Sequence, residues 1–296
     1  MRYYAMIITA TIIWGSTFVL VKDVTEVMGP AWLVGTRFAL AAVILALFFF
    51  KERSIYLDKR NALYGCVCGF VLFAAYYVQT VGITDTTPGK NAFLTATYCV
   101  IVPFSAWLLM RRRPTRFSIA GAAIALTGIG LISLSGDFTV RFGDALSLGC
   151  AFFFALHITL ISMLTSEKNA LAITIWQFAV VGACGLTVAG LTEPIPDLAR
   201  FDVGDVLAVG YLTVFATALA LLMQNTAQPH MTPATASLIL TFESVFGASF
   251  SILLGAEELT LRLFVGFALV FSSVLVAEVL PAWLDKRRRL AAQAAS

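Results

Sequence analysis

Ten stretches of roughly twenty residues, each almost free of charge, follow one another along the chain with only short connections between them. A helix rises about 1.5 Å per residue, so about 20 apolar residues cover the roughly 30 Å hydrocarbon core of a bilayer. The stretches lie at about 4–21, 31–50, 62–83, 89–110, 117–134, 143–164, 172–191, 204–226, 232–253 and 261–284. In lipid a segment must satisfy its own backbone polar groups, and an isolated apolar stretch does so only as a helix. The expectation is an all-α polytopic membrane protein of ten transmembrane helices. Composition agrees, because 59% hydrophobic and 12% charged residues, with a mean hydropathy of +0.89, exceed what a soluble fold can bury.

The connections hold turn formers and charges, as in Met28-Gly29-Pro30, Thr87-Pro88-Gly89 and Glu193-Pro194-Ile195-Pro196-Asp197, and leave no room for a soluble domain. The first stretch is followed by Lys22-Asp23 rather than by a small-residue cleavage site, so it reads as a retained helix. Cys66, Cys68, Cys99, Cys150 and Cys184 all fall within expected spans and read as small packing residues. No cofactor or metal motif is expected.

Basic residues collect on cytoplasmic loops. Of the twenty Lys and Arg, fourteen belong to one side: Arg2, Lys51, Arg53, Lys59, Arg60, Arg111, Arg112, Arg113, Arg116, Lys168 and the run Lys286-Arg287-Arg288-Arg289. Lys22, Lys90, Arg141, Arg200 and Arg262 belong to the other. Both termini are therefore expected in the cytoplasm, with the protein multi-pass in the plasma (inner) membrane. Trp32 and Trp283, at span ends, read as interface anchors.

The chain also repeats itself. A shift of 145 residues places Gln79 on Gln224, Thr87-Pro88 on Thr232-Pro233, Thr115 on Thr260 and Gly121 on Gly266. Spans 1 and 2 match spans 6 and 7 at shifts of about 141 and 140. Each half, 1–136 and 137–296, is thus five helices. Because five is odd, the second copy enters from the opposite side, giving two inverted five-helix repeats about a pseudo-twofold axis in the membrane plane. That arrangement is typical of secondary transporters, with the solute site near the midplane.

Further stretches stand out in order along the chain: Trp14-Gly15-Ser16-Thr17, Arg37-Phe38, Ala92-Phe93-Leu94-Thr95 through Val102-Pro103, Ala155-Leu156-His157-Ile158, Trp176-Gln177 and Leu240 to Phe246, followed by Leu254 to Thr260. Together, over nearly the whole chain, they resemble the EamA family of the drug/metabolite transporter superfamily. The resemblance implies a ten-helix permease that moves amino acids or other small metabolites, often outward, without ATP.

Ionisable and polar groups inside spans are costly and mark function by default. Glu243 falls halfway along span 9, and the repeat puts it on Tyr98, halfway along span 4. Arg37, in span 2, is expected to reach toward Glu243 or to snorkel to headgroups; its counterpart is Gln177. Gln79 and Gln224 map to mirrored depths and suggest polar exits. His157 matches Ser16, and Trp14, Tyr76, Tyr77 and Tyr98 offer apolar walls with polar tips. The candidate solute site is accordingly Trp14, Arg37, Tyr76, Gln79, Tyr98, His157, Gln177, Gln224 and Glu243. Each also has a plain structural reading, as a buried carboxylate pinning the halves, an ion pair, or interhelical hydrogen bonds.

The expected partners are a small-molecule solute, an amino acid or similar zwitterion, and the lipid bilayer; nucleic acid is not expected, and a homo-oligomer is left open. A lipid or amphiphile flippase on the same scaffold is the alternative. A membrane-embedded enzyme would need a catalytic cluster of acids or histidines that the spans do not carry, and no phosphate-cradling GxxxxGK[ST] loop is present.

Overall fold

The computed structural model describes residues 1–111, 113–133, 141–253, 260–281, 283–284 and 287. Arg112, the acidic pair Glu257-Glu258 within 254–259, and the tail residues Lys286, Arg288 and Arg289 lie outside them.

The described chain is helical. The first half holds α1 (Arg2–Gly15), α2 (Thr17–Val27), α3 (Pro30–Phe48), the short α4 (Arg53–Tyr56), α5 (Lys59–Thr84), α6 (Pro88–Ala96), α7 (Tyr98–Met110) and α8 (Arg116–Ser133). The second holds α9 (Phe142–Leu164), α10 (Ala170–Thr192), α11 (Val203–Tyr211), α12 (Ala220–Ala227), α13 (Pro233–Leu240), α14 (Phe242–Leu253) and α15 (Leu261–Val274). A π-helical stretch, Leu212–Leu219, joins α11 to α12, and another, Leu275–Val279, follows α15.

Six helices are long and apolar enough to cross a bilayer unaided: Pro30–Phe48, Lys59–Thr84, Pro88–Met110, Phe142–Leu164, Ala170–Thr192 and Val203–His230. The pair α1 and α2, bent by 43°, makes a seventh if taken as one span. The described parts of the fifth and tenth expected spans, Arg116–Ile132 and Leu261–Ala277, are apolar but shorter. All five cysteines are free.

A hydroxyl stands at each break and bonds back to a carbonyl of the preceding turn, a contact that favours bending. Ser16 Oγ donates to Ile13 O at 2.7 Å, Thr97 Oγ1 to Leu94 O at 2.6 Å, and Thr241 Oγ1 to Leu238 O at 2.6 Å. Span 1, expected as one helix, is two, bent by 43°. The starts of α6 and α13 are equally alike: Thr87 caps Lys90 N at 3.3 Å and Thr232 caps Thr235 N at 3.1 Å, each with proline next. A shift of 145 converts one cap into the other.

Packing obeys the same exchange. Helix α3 lies along its equivalent α10, and α8 along its equivalent α15. The contact of α5 with α9 mirrors that of α12 with α1, and α6 and α7 against α9 mirror α13 and α14 against α1. A methyl added to Gly121 would meet Ser273 O at 2.9 Å, and one added to Gly128 would meet Gly266 O at 2.8 Å. The shift turns Gly121 and Gly128 into Gly266 and Ser273, so each contact is the image of the other. The same pairs show that α8 and α15 run antiparallel, as inverted copies must when they pack about a shared axis.

The connections sort to two ends. At one, Glu167 Oε1 receives Arg2 Nη2 at 3.1 Å and His230 Nε2 at 3.0 Å, while the Tyr3 hydroxyl also donates to it and the Tyr3 ring stacks on His230 at 3.6 Å. At the other, the Glu193 carboxylate accepts from Ala31 N at 2.9 Å and Trp32 N at 3.1 Å, anchoring the first turn of α3. Asp85 Oδ2 likewise accepts from Gly143 N at 2.9 Å in the first turn of α9, and Lys22 Nζ donates to Thr86 O at 2.6 Å. The Trp32 indole bonds Pro194 O at 3.0 Å at this end.

Candidate functional site

Two straight helices that cross leave little room between them, whereas broken ones splay. The breaks at Ser16 and Thr97, with the π-helical stretch before α12, surround a cleft at the junction of the two halves. Its empty space, counted out to its mouth, is about 780 Å³. Trp14, Arg37, Tyr76, Gln79, Tyr98, His157, Gln224 and Glu243 all line it. Gln177, the ninth candidate, stands behind the wall, where its Oε1 lies 3.0 Å from His157 Nε2.

Glu243 is 8% exposed and accepts a hydrogen bond from the Tyr98 hydroxyl at 3.4 Å. Helix α1 crosses close beneath it, since a methyl on Gly15 would meet Glu243 O at 2.8 Å. That approach needs glycine. The Trp14 indole, one residue earlier, donates to Ala216 O at 2.8 Å inside the π-helical stretch and so ties the first repeat to the second.

Arg37 departs from expectation. Among the described residues it forms no ion pair with Glu243. Its guanidinium carbon instead lies 4.7 Å from the centre of the Tyr76 ring and 5.2 Å from that of Phe38, and its Nε, buried, has no hydrogen-bond partner. Two aromatic faces hold the cation by its plane, so its donors are not consumed by the protein's own acid. The cleft thus presents a carboxyl group and a guanidinium that do not pair with each other.

Gln79 and Gln224 line the same cleft rather than separate exits. Gln79 Nε2 donates to Thr95 Oγ1 at 3.2 Å and Gln224 Nε2 to Gln228 Oε1 at 2.9 Å. Tyr77 lies outside it, stacked on Phe73 at 5.4 Å.

Sequence reasoning passed over Asn91, Thr95, Thr17 and Thr80, which also line the cleft. The signal was there. Asn91, Thr95 and Tyr98 fall at i, i+4 and i+7, and Trp14, Thr17, Phe18 and Val21 at i, i+3, i+4 and i+7, each the spacing of one face of an uninterrupted helix. Asn91 Nδ2 donates to Ser147 Oγ at 2.7 Å and to Gln79 O at 3.3 Å, leaving its buried Oδ1 without a partner.

The cleft is not symmetric about its centre. It reaches toward the end marked by Lys22 and Thr86, through Val21, Ile83 and Asn91. On the opposite side Gln228 is buried, its Nε2 donating to Ser162 Oγ at 2.8 Å and also to Ile158 O, and the helices close.

The profile of the EamA-like transporter family matches the chain twice, over residues 1–134 and 141–278. An uncharacterized transporter of Archaeoglobus fulgidus is 30% identical over 270 residues, 90% of this chain and 83% of the relative. A probable amino-acid metabolite efflux pump of Escherichia coli is 24% identical over 280 residues, 90% and 91% of the two chains. A protein crystal structure with 15% sequence identity superposes with a TM-score of 0.79, covering 95% of this chain and 98% of its own.

Proposed function

The chain belongs to the EamA-like transporter family, and from that premise we propose that it carries small zwitterionic metabolites, amino acids or close relatives, out across the plasma membrane. The observation that supports this most is that the cleft holds an acid and a base that do not pair with each other: Glu243, and Arg37, whose guanidinium lies over Tyr76 and whose Nε has no partner. A zwitterion brings one group for each. Its carboxylate meets a planar guanidinium suited to two-point contact, and its ammonium meets Glu243 or the faces of Trp14 and Tyr76.

The rest of the lining is apolar, with Leu72, Ile83, Phe154 and Leu221 among it, and suits a hydrophobic side chain. The relative named as a probable amino-acid metabolite efflux pump supports the same class. Alternating access follows from two inverted repeats that meet at the site, with both termini in the cytoplasm. No covalent step is required, and the protein acts as a carrier rather than an enzyme.

Counterflow in proteoliposomes tests this. Vesicles loaded with unlabelled amino acids are expected to accumulate a labelled one, and Glu243→Gln and Arg37→Ala are expected to abolish the accumulation while the variants remain folded. Failure of every zwitterion on a broad panel with folded wild-type protein would sink the proposal.

A further inference from the structure

The cleft contains its own symmetry and then loses it. Near its centre, residues and their repeat equivalents line it together: Tyr98 with Glu243, Gln79 with Gln224, Tyr76 with Leu221. Farther out, Val21, Arg37, Thr80 and Ile83 face the cleft, but their equivalents, Ser162, Gln177, Asn225 and Gln228, do not line it. Three of those four are fully buried.

Those three buried equivalents are all amides, and two of them carry an unpartnered atom. Gln177 Nε2 and Asn225 Oδ1 have no hydrogen-bond partner. Asn225 Nδ2 reaches Thr174 Oγ1 at 2.9 Å, while Gln228 is held to Ser162. A buried polar atom without a partner costs about 1–3 kcal/mol, and packing alone would be served better by leucine. Amides kept there at that cost are accounted for by a second state in which water or solute reaches them.

We propose that Ser162, Gln177, Asn225 and Gln228 line the second half of the passage, closed in this structure and opened at the end that carries Arg2, Glu167 and His230 when the repeats exchange conformations. This rests on the carrier reading above and adds to it the identity and chemistry of the hidden wall. The wall is uncharged. In the visible half Arg37 offers the solute a fixed cation, whereas in the hidden half its equivalent Gln177 offers a neutral amide. The second vestibule therefore suits a zwitterion or a neutral polar solute, with water completing its hydrogen bonds, and holds a carboxylate less tightly than the first.

Thiol accessibility tests it without depending on transport. In protein whose five native cysteines are replaced, Ser162→Cys, Asn225→Cys and Val21→Cys are each exposed to a charged, membrane-impermeant methanethiosulfonate, added to one side of sealed vesicles and then the other. Ser162→Cys and Asn225→Cys are expected to react at least about tenfold faster from the Arg2 end, and Val21→Cys from the Lys22 end. Reactivity of Ser162→Cys from the Arg2 end without any counterflow would leave the passage standing and remove the solute reading. The proposal is overturned if Ser162→Cys and Asn225→Cys stay inert from both sides while Val21→Cys reacts and wild-type counterflow proceeds, or if Ser162→Cys reacts only from the Lys22 end. If Asn225→Cys does not fold, the conservative Ser162→Cys decides the matter alone.

Discussion

The Tyr98 hydroxyl donates to Glu243 Oε1 at 3.4 Å, and the two residues stand 145 positions apart, the same interval that relates the two halves of the chain. They are repeat equivalents in contact, so the pseudo-twofold axis passes between them. One repeat supplies a phenol at that point and the other a carboxylate, and the centre of the cleft is where the halves differ chemically while matching in position.

Glu243→Gln keeps the shape and the hydrogen-bond acceptor but removes the ionisable carboxyl. Counterflow of a zwitterion is expected to fall at least about tenfold, equivalent to roughly 1.4 kcal/mol, with little change in the thermal midpoint. Tyr98→Phe removes only a long hydrogen bond, worth about 1 kcal/mol or less, and should slow counterflow a few-fold. Equal, near-complete loss in both variants would mean that the contact itself, rather than the charge, is what matters.

Arg37→Lys preserves charge and loses the plane that lies over Tyr76. Binding of a carboxylate-bearing solute, measured by calorimetry in detergent, is expected to weaken about 10- to 100-fold, roughly 1.4–2.8 kcal/mol. The corresponding amide should be affected less. Tyr76→Leu is expected to lower the thermal midpoint as well, because a stacked cation contributes about 0.5–2 kcal/mol.

Gly128 and Gly266 touch backbone to backbone, with an added methyl 2.8 Å from Gly266 O in one case and 2.9 Å from Gly128 O in the other. Alanine would gain about 0.5–1 kcal/mol from helix propensity but lose about 1–3 kcal/mol to overpacking, so both substitutions should destabilise, and by similar amounts. Gly149 and Gly190 have nothing within 4 Å of an added methyl. Their alanine variants should be neutral or more stable, as read from midpoints of unfolding in one detergent.

Glu167 sits outside the spans, and its carboxyl is held below its ordinary value of 4.5, first by the Tyr3 hydrogen bond and then by His230 and Arg2. A depressed carboxyl stabilises the fold above its unfolded-state value and loses that contribution as pH falls through the lower folded-state value. The thermal midpoint of the wild type is thus expected to drop relative to Glu167→Gln only on acidification below about pH 4.5, and the two curves should converge there. A gap that widens in acid would contradict this assignment.

Much of this arrangement could be read from residues alone, because hydropathy period and the 145-residue shift are properties of order along the chain. Glu243, Tyr98 and Arg37 stood out by the cost of burying them. What escaped were features decided by tertiary contact. The break at Ser16 depends on a hydroxyl choosing Ile13 O and Tyr211 over water, and the π-helical stretch at Leu212–Leu219 has no composition that distinguishes it from its neighbours. Coulomb attraction favours Arg37 reaching toward Glu243, yet its guanidinium lies over the rings of Tyr76 and Phe38 and forms no ion pair among the described residues. Asn91 and Thr95 were missed through attention to charge, although their spacing placed them on the face of Tyr98.

The pairing of α8 with α15 and of α3 with α10 has a consequence for how such a chain could arise. Each pair joins equivalent surfaces, Gly121 to Ser273 and Gly128 to Gly266 in the first, which is the self-complementary, isologous contact of a symmetric dimer. A half-length ancestor carrying those faces would associate with an identical copy inserted the other way up, and fusion of the two genes would then free the halves to diverge. An unfused dimer could not set a phenol against a carboxyl at equivalent points as Tyr98 and Glu243 are set here, because one residue type would have to serve at both positions.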